Sequence, residues 1–192
     1  DQSKLLKPKK IFIIINKNMI FLKKMFPKEN FIIQSQQLGT GHAIQAFLHK
    51  VKIKRNDKYL VLYGDNPLVT FSDLQSMYNK VKKNNLVLLG FKKNNNKSYG
   101  IIIGNKSGVK EIIEFKEACE KQKKLKICNS GIMAFDYSSL TLVKNISNKN
   151  KKKEYYLTDI VKLSRQSRLK INLVIAQNEK NAVGVNDQIE LL

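Results

Sequence analysis

Gln34-Ser-Gln-Gln-Leu-Gly-Thr-Gly-His-Ala43 joins two stretches of different periodicity. Phe31-Ile-Ile33 before it is a short apolar run of strand type, and Ile44-Gln-Ala-Phe-Leu48 after it spaces apolar residues as a helix does. The chain therefore passes from a buried strand into a helix whose first turn is Gly39-Thr40-Gly41. Such a junction presents free backbone N–H groups, the two glycines let the main chain come close to a ligand, and Thr40 is placed to cap the helix or offer a hydroxyl. By itself a Gly-Thr-Gly turn is ordinary punctuation between elements. A second stretch gives it weight: an apolar run at 59–63 ends in Gly64-Asp65-Asn66-Pro67-Leu68. A carboxylate at the carboxyl end of a buried strand, followed by a proline that enforces a turn, stands where open α/β sheets hold metal or ligand groups.

Outward from these two junctions, strands are expected at 11–15, 31–33, 59–63 and 86–91. Helices are expected at 18–26, stopped by Pro27, after Gly41, and after Ser72 as N-cap, with Asp73 in the first turn and Leu74, Met77, Tyr78 and Val81 as one apolar stripe. This alternation predicts an α/β fold with a mostly parallel, doubly wound sheet. Residues 99–103 and 109–115, joined by Gly104-Asn-Lys-Ser-Gly108, predict a β-hairpin lying over the ligand cleft. A strand at 131–135, a helix at 137–146, a helix from Thr158-Asp159 with Ile160, Leu163 and Ser167 inward, and a strand at 171–175 complete the expectation. No internal repeat or long linker divides the chain, so 192 residues predict a single domain.

The net charge of +21 raises the question of nucleic acid. The lysines, however, come with asparagines in runs such as Lys92-Lys-Asn-Asn-Asn-Lys97 and Asn148-Lys-Asn-Lys-Lys-Lys153, between apolar segments and with few aromatics interleaved. Solvated loops are the favoured reading, with no specific nucleic-acid partner; a basic, non-catalytic nucleic-acid module stays as the alternative of another class. Apolar runs fall short of the ~18 residues of a membrane span, so no membrane partner is expected. The start has lysines and a short apolar run but no signal-peptide pattern, which points to the cytoplasm. Cys119 and Cys128 lack metal-ligand spacing and read as free thiols, and His42 and His49 as helix surface or packing residues. Gln34 and Gln37 each offer an amide, a donor and acceptor pair able to read the edge of a nucleobase.

In chain order, Gln34 to Ala43, Leu62-Tyr-Gly-Asp-Asn-Pro-Leu68, Tyr99-Gly100, Ile112-Ile-Glu-Phe-Lys-Glu-Ala118, Asn129-Ser-Gly-Ile132, Glu154-Tyr-Tyr-Leu-Thr-Asp-Ile160 and Gly184-Val-Asn186 together resemble the bacterial N-acetylglucosamine-1-phosphate uridylyltransferases. The resemblance implies a Rossmann-like nucleotidyltransferase fold, Mg²⁺ dependence, and reaction of UTP with N-acetylglucosamine 1-phosphate to give UDP-N-acetylglucosamine and pyrophosphate for cell-envelope precursors. It implies that Gln34, Gly39 and Thr40 hold uracil and ribose, with Gln37 as a further substrate-binding candidate, and that Tyr63, Gly64 and Asp65 surround the nucleotide. It further implies Asp65 and Asn186 as metal-holding, catalytic residues, and Gly100, Glu114, Asn129, Tyr156 and Thr158 as lining the sugar pocket. Another sugar-1-phosphate nucleotidyltransferase is the nearest alternative.

Two departures stand out. The family's Gly-rich phosphate loop and its first strand have no counterpart here, and Ile101 stands where the family usually has arginine. The chain also stops before the family's acetyltransferase domain, so it reads as a piece of a longer protein, a homotrimer being expected only of the full-length form. Without that loop the 192 residues are expected to be marginally folded, with weak product binding and turnover reduced by orders of magnitude.

Overall fold

The computed structural model describes residues 2–93, 99–105 and 108–185. In chain order these form β1 (Phe12–Ile15), α1 (Leu22–Met25), β2 (Asn30–Ile33), α2 (Thr40–Lys50), β3 (Tyr59–Val61), α3 (Phe71–Lys80), β4 (Asn85–Lys92) and β5 (Ile101–Asn105). They continue as β6 (Gly108–Ile113), α4 (Glu120–Lys123), β7 (Ile127–Phe135), α5 (Tyr137–Thr141), α6 (Ile160–Gln166) and β8 (Lys170–Ile175). β4 shows why the sheet forms. Its apolar run alternates sides, Leu86 and Leu88 entering one core cluster and Val87, Leu89 and Phe91 the other, so the strand is buried on both faces. α2, α5 and α6 cover the first face through Ile44, Phe47, Leu140, Ile160 and Val161. On the second face, α3 contributes Leu74 and Met77.

The expected α/β fold is observed, with a mixed sheet flanked by helices. β1 pairs parallel with β2 in a two-stranded sheet, and the larger sheet runs β6-β5-β7-β4-β8 with β3 also on β7. Because β3, β4 and β5 all pair antiparallel with β7, and β8 parallel with β4, strands β3, β4, β5 and β8 share one direction. Most strands of the larger sheet are therefore co-directional, although β7, running the other way in the middle, makes most of its ladders antiparallel. The hairpin β5–β6 does not cover the cleft with its tip. Gly108, at the tip, approaches the Ile171 carbonyl at the start of β8, while the open end of the hairpin, near Gly100 and Glu114, faces the carboxyl end of β4.

Several local expectations are corrected. α3 is capped by Thr70 rather than Ser72: Thr70 Oγ1 accepts from Asp73 N (3.2 Å) and donates to Asp73 Oδ2 (2.7 Å), a reciprocal lock at three-residue spacing that Ser72 lacks. Tyr78 leaves the predicted stripe and is 45% exposed, with Lys58 Nζ 4.1 Å above its ring. On α6 the inward residues are Ile160, Val161 and Ser164, while Ser167 is an exposed C-cap. The helix expected at 18–26 is broken into a 3₁₀ turn, Lys17–Met19, and the short α1, because Asn16 Oδ1 accepts from Asn18 N and Met19 N and so ends the strand in a local turn. The strand expected at 59–63 stops at Val61, and the helix expected at 137–146 finishes as a 3₁₀ turn, Leu142–Asn145.

Both cysteines are free. Cys119 is exposed, whereas Cys128 on β7 is fully buried and burial pushes its thiol up to about 11. Since the thiolate is the reactive form, one thiol per chain is expected to react with an aromatic disulfide reagent in native buffer and the second only on unfolding. Rapid native labelling of both would contradict the burial of β7.

Candidate active site

β7 is shared on one edge by two strands. Its carboxyl half, Met133 to Phe135, pairs with β3, and Cys128 in its amino half pairs with Ile101 of β5, so the sheet forks between them. At the fork β7 bulges. Two steps along β4, from Leu88 to Gly90, match four along β7, from Met133 to Asn129, so β7 holds two extra residues. Ser130 compensates for the interrupted ladder, its hydroxyl donating to Leu89 O (2.7 Å) and accepting from Ile132 N (3.1 Å). The bulge also turns Gly131 to φ +85°, and a Cβ there would overlap the Tyr63 ring. Only glycine leaves room for that ring.

From Tyr63 the site extends two ways. Toward α2, the Tyr63 hydroxyl bonds Thr40, and burial raises its pKa above the ordinary phenol value against the opposing effect of that bond. The phenol thus stays neutral at physiological pH. Thr40 Oγ1 also accepts from Leu157 N (3.1 Å), so it ties the segment 155–158 to α2 instead of capping the helix. The N-cap is Gly39, at φ +103° and ψ 175°, in contact with the Tyr155 backbone. Tyr155 N donates to Leu38 O (2.7 Å) and Gly41 N to Tyr155 O (2.8 Å), which latches the two segments together. Gln34 turns inward, Nε2 donating to Gly39 O (3.1 Å) and lying 3.0 Å from His42 Nδ1; Gln37 is exposed just before the turn.

In the other direction, Gly64 and Asp65 are exposed beyond the carboxyl end of β3. The Asp65 backbone is held by Val185 N to Asp65 O (2.7 Å), and Gly184 sits against its carboxylate. Among the described residues the carboxylate itself has no hydrogen bond or ion pair. Asn66 Nδ2 reaches Ala182 O (3.4 Å), a second tie between the same two loops. Past the fork, Asn129 N donates to Gly100 O (2.8 Å), and the Glu114 carboxylate lies over Gly100. Asn129 Oδ1 is buried with no partner among the described residues.

Of the sequence-predicted residues, Gln34, Gly39, Thr40, Tyr63, Asp65, Asn129, Gly100 and Glu114 thus fall along one arc of contacts at the carboxyl end of β3 and β4, with Tyr156 and Thr158 flanking Leu157. Asn186 lies outside the described residues. No group of three His, Cys, Asp or Glu side chains able to cage a metal occurs among the described residues. Asp65 nonetheless suits Mg²⁺: it is a hard oxygen donor, free of other partners among the described residues, and this ion commonly takes only one or two carboxylates, with water and phosphates filling its octahedron. Tyr155 and Ser130 escaped the sequence-based set. Tyr155 acts through its backbone, which any residue type supplies, and the need for Ser130 is set by the partner strand.

The sequence matches the family model described as nucleotidyl transferase over residues 7–182. Among curated proteins it is 36% identical to a Bifunctional protein GlmU from Paramagnetospirillum magneticum, across 97% of this chain and 42% of that protein. It is 35% identical to the protein of that name from Buchnera aphidicola subsp. Baizongia pistaciae (96% and 42%) and 37% identical to that from Campylobacter jejuni subsp. doylei (86% and 38%). The chain spans about two fifths of the length of these relatives. No helix among the described residues is long and apolar enough to cross a membrane.

Proposed function

The chain belongs to the nucleotidyl transferase family, and from that premise we propose that its site transfers a uridylyl group from UTP to N-acetylglucosamine 1-phosphate, giving UDP-N-acetylglucosamine and pyrophosphate. The observation that carries the proposal is the pairing, along one arc, of an exposed carboxylate at Asp65 with a buried acceptor at Asn129, both without a hydrogen-bond partner among the described residues. An unmet buried acceptor costs about 1–3 kcal/mol, a cost that a donor on the ligand, such as a sugar hydroxyl or the acetamido N–H, removes.

The chemistry asks little acid–base work of the protein. The phosphate oxygen of the sugar phosphate is already an anionic nucleophile; it forms a bond to the α-phosphorus of UTP as the bond from that phosphorus to the β-phosphate oxygen breaks, and pyrophosphate leaves with the electron pair. What the chain supplies is position. Gln37 and the Gly39–Gly41 backbone face the base and ribose, Tyr63 keeps that loop and the fork in register, and Glu114 and Asn129 orient the sugar. Asp65, with Asn186, is the proposed seat of Mg²⁺, which when bound supplies charge neutralisation at the α-phosphate. A pyrophosphate-release assay over a panel of sugar phosphates and nucleoside triphosphates, in a form that includes a Gly-rich phosphate loop, tests the proposal. Preferential use of glucose 1-phosphate or of CTP would remove the substrate assignment.

A further inference from the structure

A second place suited to negative charge lies at the opposite end of the sheet from Asp65. The start of β6, the carboxyl end of α6 and the start of β8 border an open, solvent-facing cavity of about 240 Å³. Lys110, Arg165, Arg168 and Lys170 line it, and no acidic residue does among the described residues. It is separate from the candidate active site: Lys170 pairs with Asn85, the first residue of β4, whereas Asp65 and Asn129 lie toward the other end of the strands.

In a chain so rich in lysine, four nearby cations alone would mean little. The arginines are more telling, because the chain has only Arg55, Arg165 and Arg168, and two of these line the cavity. Arg165 Nη1 donates to Lys110 O (3.1 Å), which anchors the guanidinium between α6 and β6, and its remaining N–H groups have no acceptor among the described residues. Arg168 adopts φ +57° at the turn that ends α6, closed by Ser167 N to Leu163 O (3.0 Å) and Leu169 N to Ser164 O (2.8 Å). Glycine is the usual residue in that left-handed position, and the backbone there turns Arg168 at the end of α6 toward β8. The ion pairs among the described residues, Lys4 with Glu29, Lys9 with Asp57 and Lys123 with Glu120, leave all four cavity cations without a carboxylate. Planar guanidinium forks match phosphate oxygens two at a time, and convergent cations raise the local potential for an anion.

We propose that this cavity is a binding site for a small phosphate-bearing anion, of the size of phosphate or diphosphate, gripped by Arg165 and Arg168 with Lys110 and Lys170 as point charges. The site does not depend on the uridylyl-transfer reading.

Calorimetric titration with sodium pyrophosphate, in chelator and about 150 mM salt so that exposed charges are screened, tests it. One site is expected, weakened at least ~10-fold in R165Q/R168Q and unchanged in K149Q/K152Q, which removes the same charge from exposed loop lysines. Binding should also survive D65N, which separates this site from the transfer site. Arg168→Gly guards against misfolding as an explanation: it relieves the left-handed strain, so it should melt higher than the parent while binding pyrophosphate more weakly. Equal losses in the arginine and lysine double variants, dependence on Asp65, no binding at all, or a single-stranded oligonucleotide that displaces pyrophosphate at much lower concentration would each overturn the proposal.

Discussion

Gly39→Ala is expected to lower the stability of the chain by about 3 kcal/mol and to uncouple the two halves of the candidate site. Two independent costs converge on this residue. Its φ of +103° with ψ of 175° lies in a region essentially reserved for glycine, where a side chain costs roughly 1–3 kcal/mol. A Cβ would also lie 2.6 Å from the Tyr155 carbonyl oxygen, and backbone cannot swing aside as the end of a flexible side chain does. Overpacking of this kind adds roughly 1–3 kcal/mol. For a domain of this size the sum corresponds to a fall in Tm of roughly 6–12 °C. The displaced Tyr155 backbone carries the bonds to Leu38 and Gly41, and Leu157 beside it is bound to Thr40, so the segment with Tyr156 and Thr158 should loosen as well. Thermal melting, with hydrogen exchange at the amides of Gly41 and Tyr155, checks this. Gly64→Ala is the control: open space surrounds Gly64 and its φ is ordinary, so its melting should hardly move. If both variants melt like the parent, the latch between Gly39 and Tyr155 is not formed in solution.

These two glycines also show what the sequence discloses and what it hides. The Gly39-Thr40-Gly41 strand-to-helix turn and the place of Asp65 just beyond a strand were both readable, because they depend on local backbone chemistry; that Gly39 abuts the Tyr155 backbone was not, since that neighbour is distant in sequence. The double-sided burial of β4 was equally plain from its unbroken apolar run. Strand direction was not, since an apolar run has no sign. β7 is as hydrophobic as a parallel strand but enters the sheet reversed, with β4 on one edge and β3 and β5 sharing the other. The bulge at Gly131 was hidden for a related reason: it exists only relative to the register of β4, and the Ser130 hydroxyl that repairs it looks in sequence like any buried serine. The cap of α3 lies two residues before the expected Ser72. Thr70 prevails over Ser72 because only Thr70 stands three residues before Asp73, whose carboxylate both receives the threonine hydroxyl and accepts from Gln177 N beyond β8 (3.4 Å). Asn186, the second expected metal-holding residue, lies past the described part of the chain.

Asp65→Asn is the complementary case, a large effect on chemistry with almost none on stability. The carboxylate is exposed and makes no hydrogen bond or ion pair among the described residues, while the loop is held by backbone and neighbour contacts, Val185 N to Asp65 O and Asn66 Nδ2 to Ala182 O. Asparagine keeps the shape and those bonds, so the melting temperature should stay within the small range of surface substitutions, about 0.5 kcal/mol either way. The lost negative charge matters differently. A divalent cation held by one or two carboxylates loses much of its electrostatic anchor when one becomes an amide, and stabilisation of charge at a transferring phosphoryl group is worth about 10²-fold or more in rate. Pyrophosphate release should therefore drop by at least ~10²-fold relative to the unsubstituted chain under the same conditions. Mn²⁺ binding in the presence of UDP-N-acetylglucosamine, followed by water proton relaxation, gives a second readout and should weaken at least ~10-fold. Glu114→Gln supplies the contrast: placed over Gly100 on the sugar side of the fork, it should raise KM for the sugar phosphate more than it lowers kcat and leave Mn²⁺ binding intact. Unchanged metal binding and turnover in Asp65→Asn would show that the cation is seated elsewhere, and the partnerless carboxylate would then need another explanation.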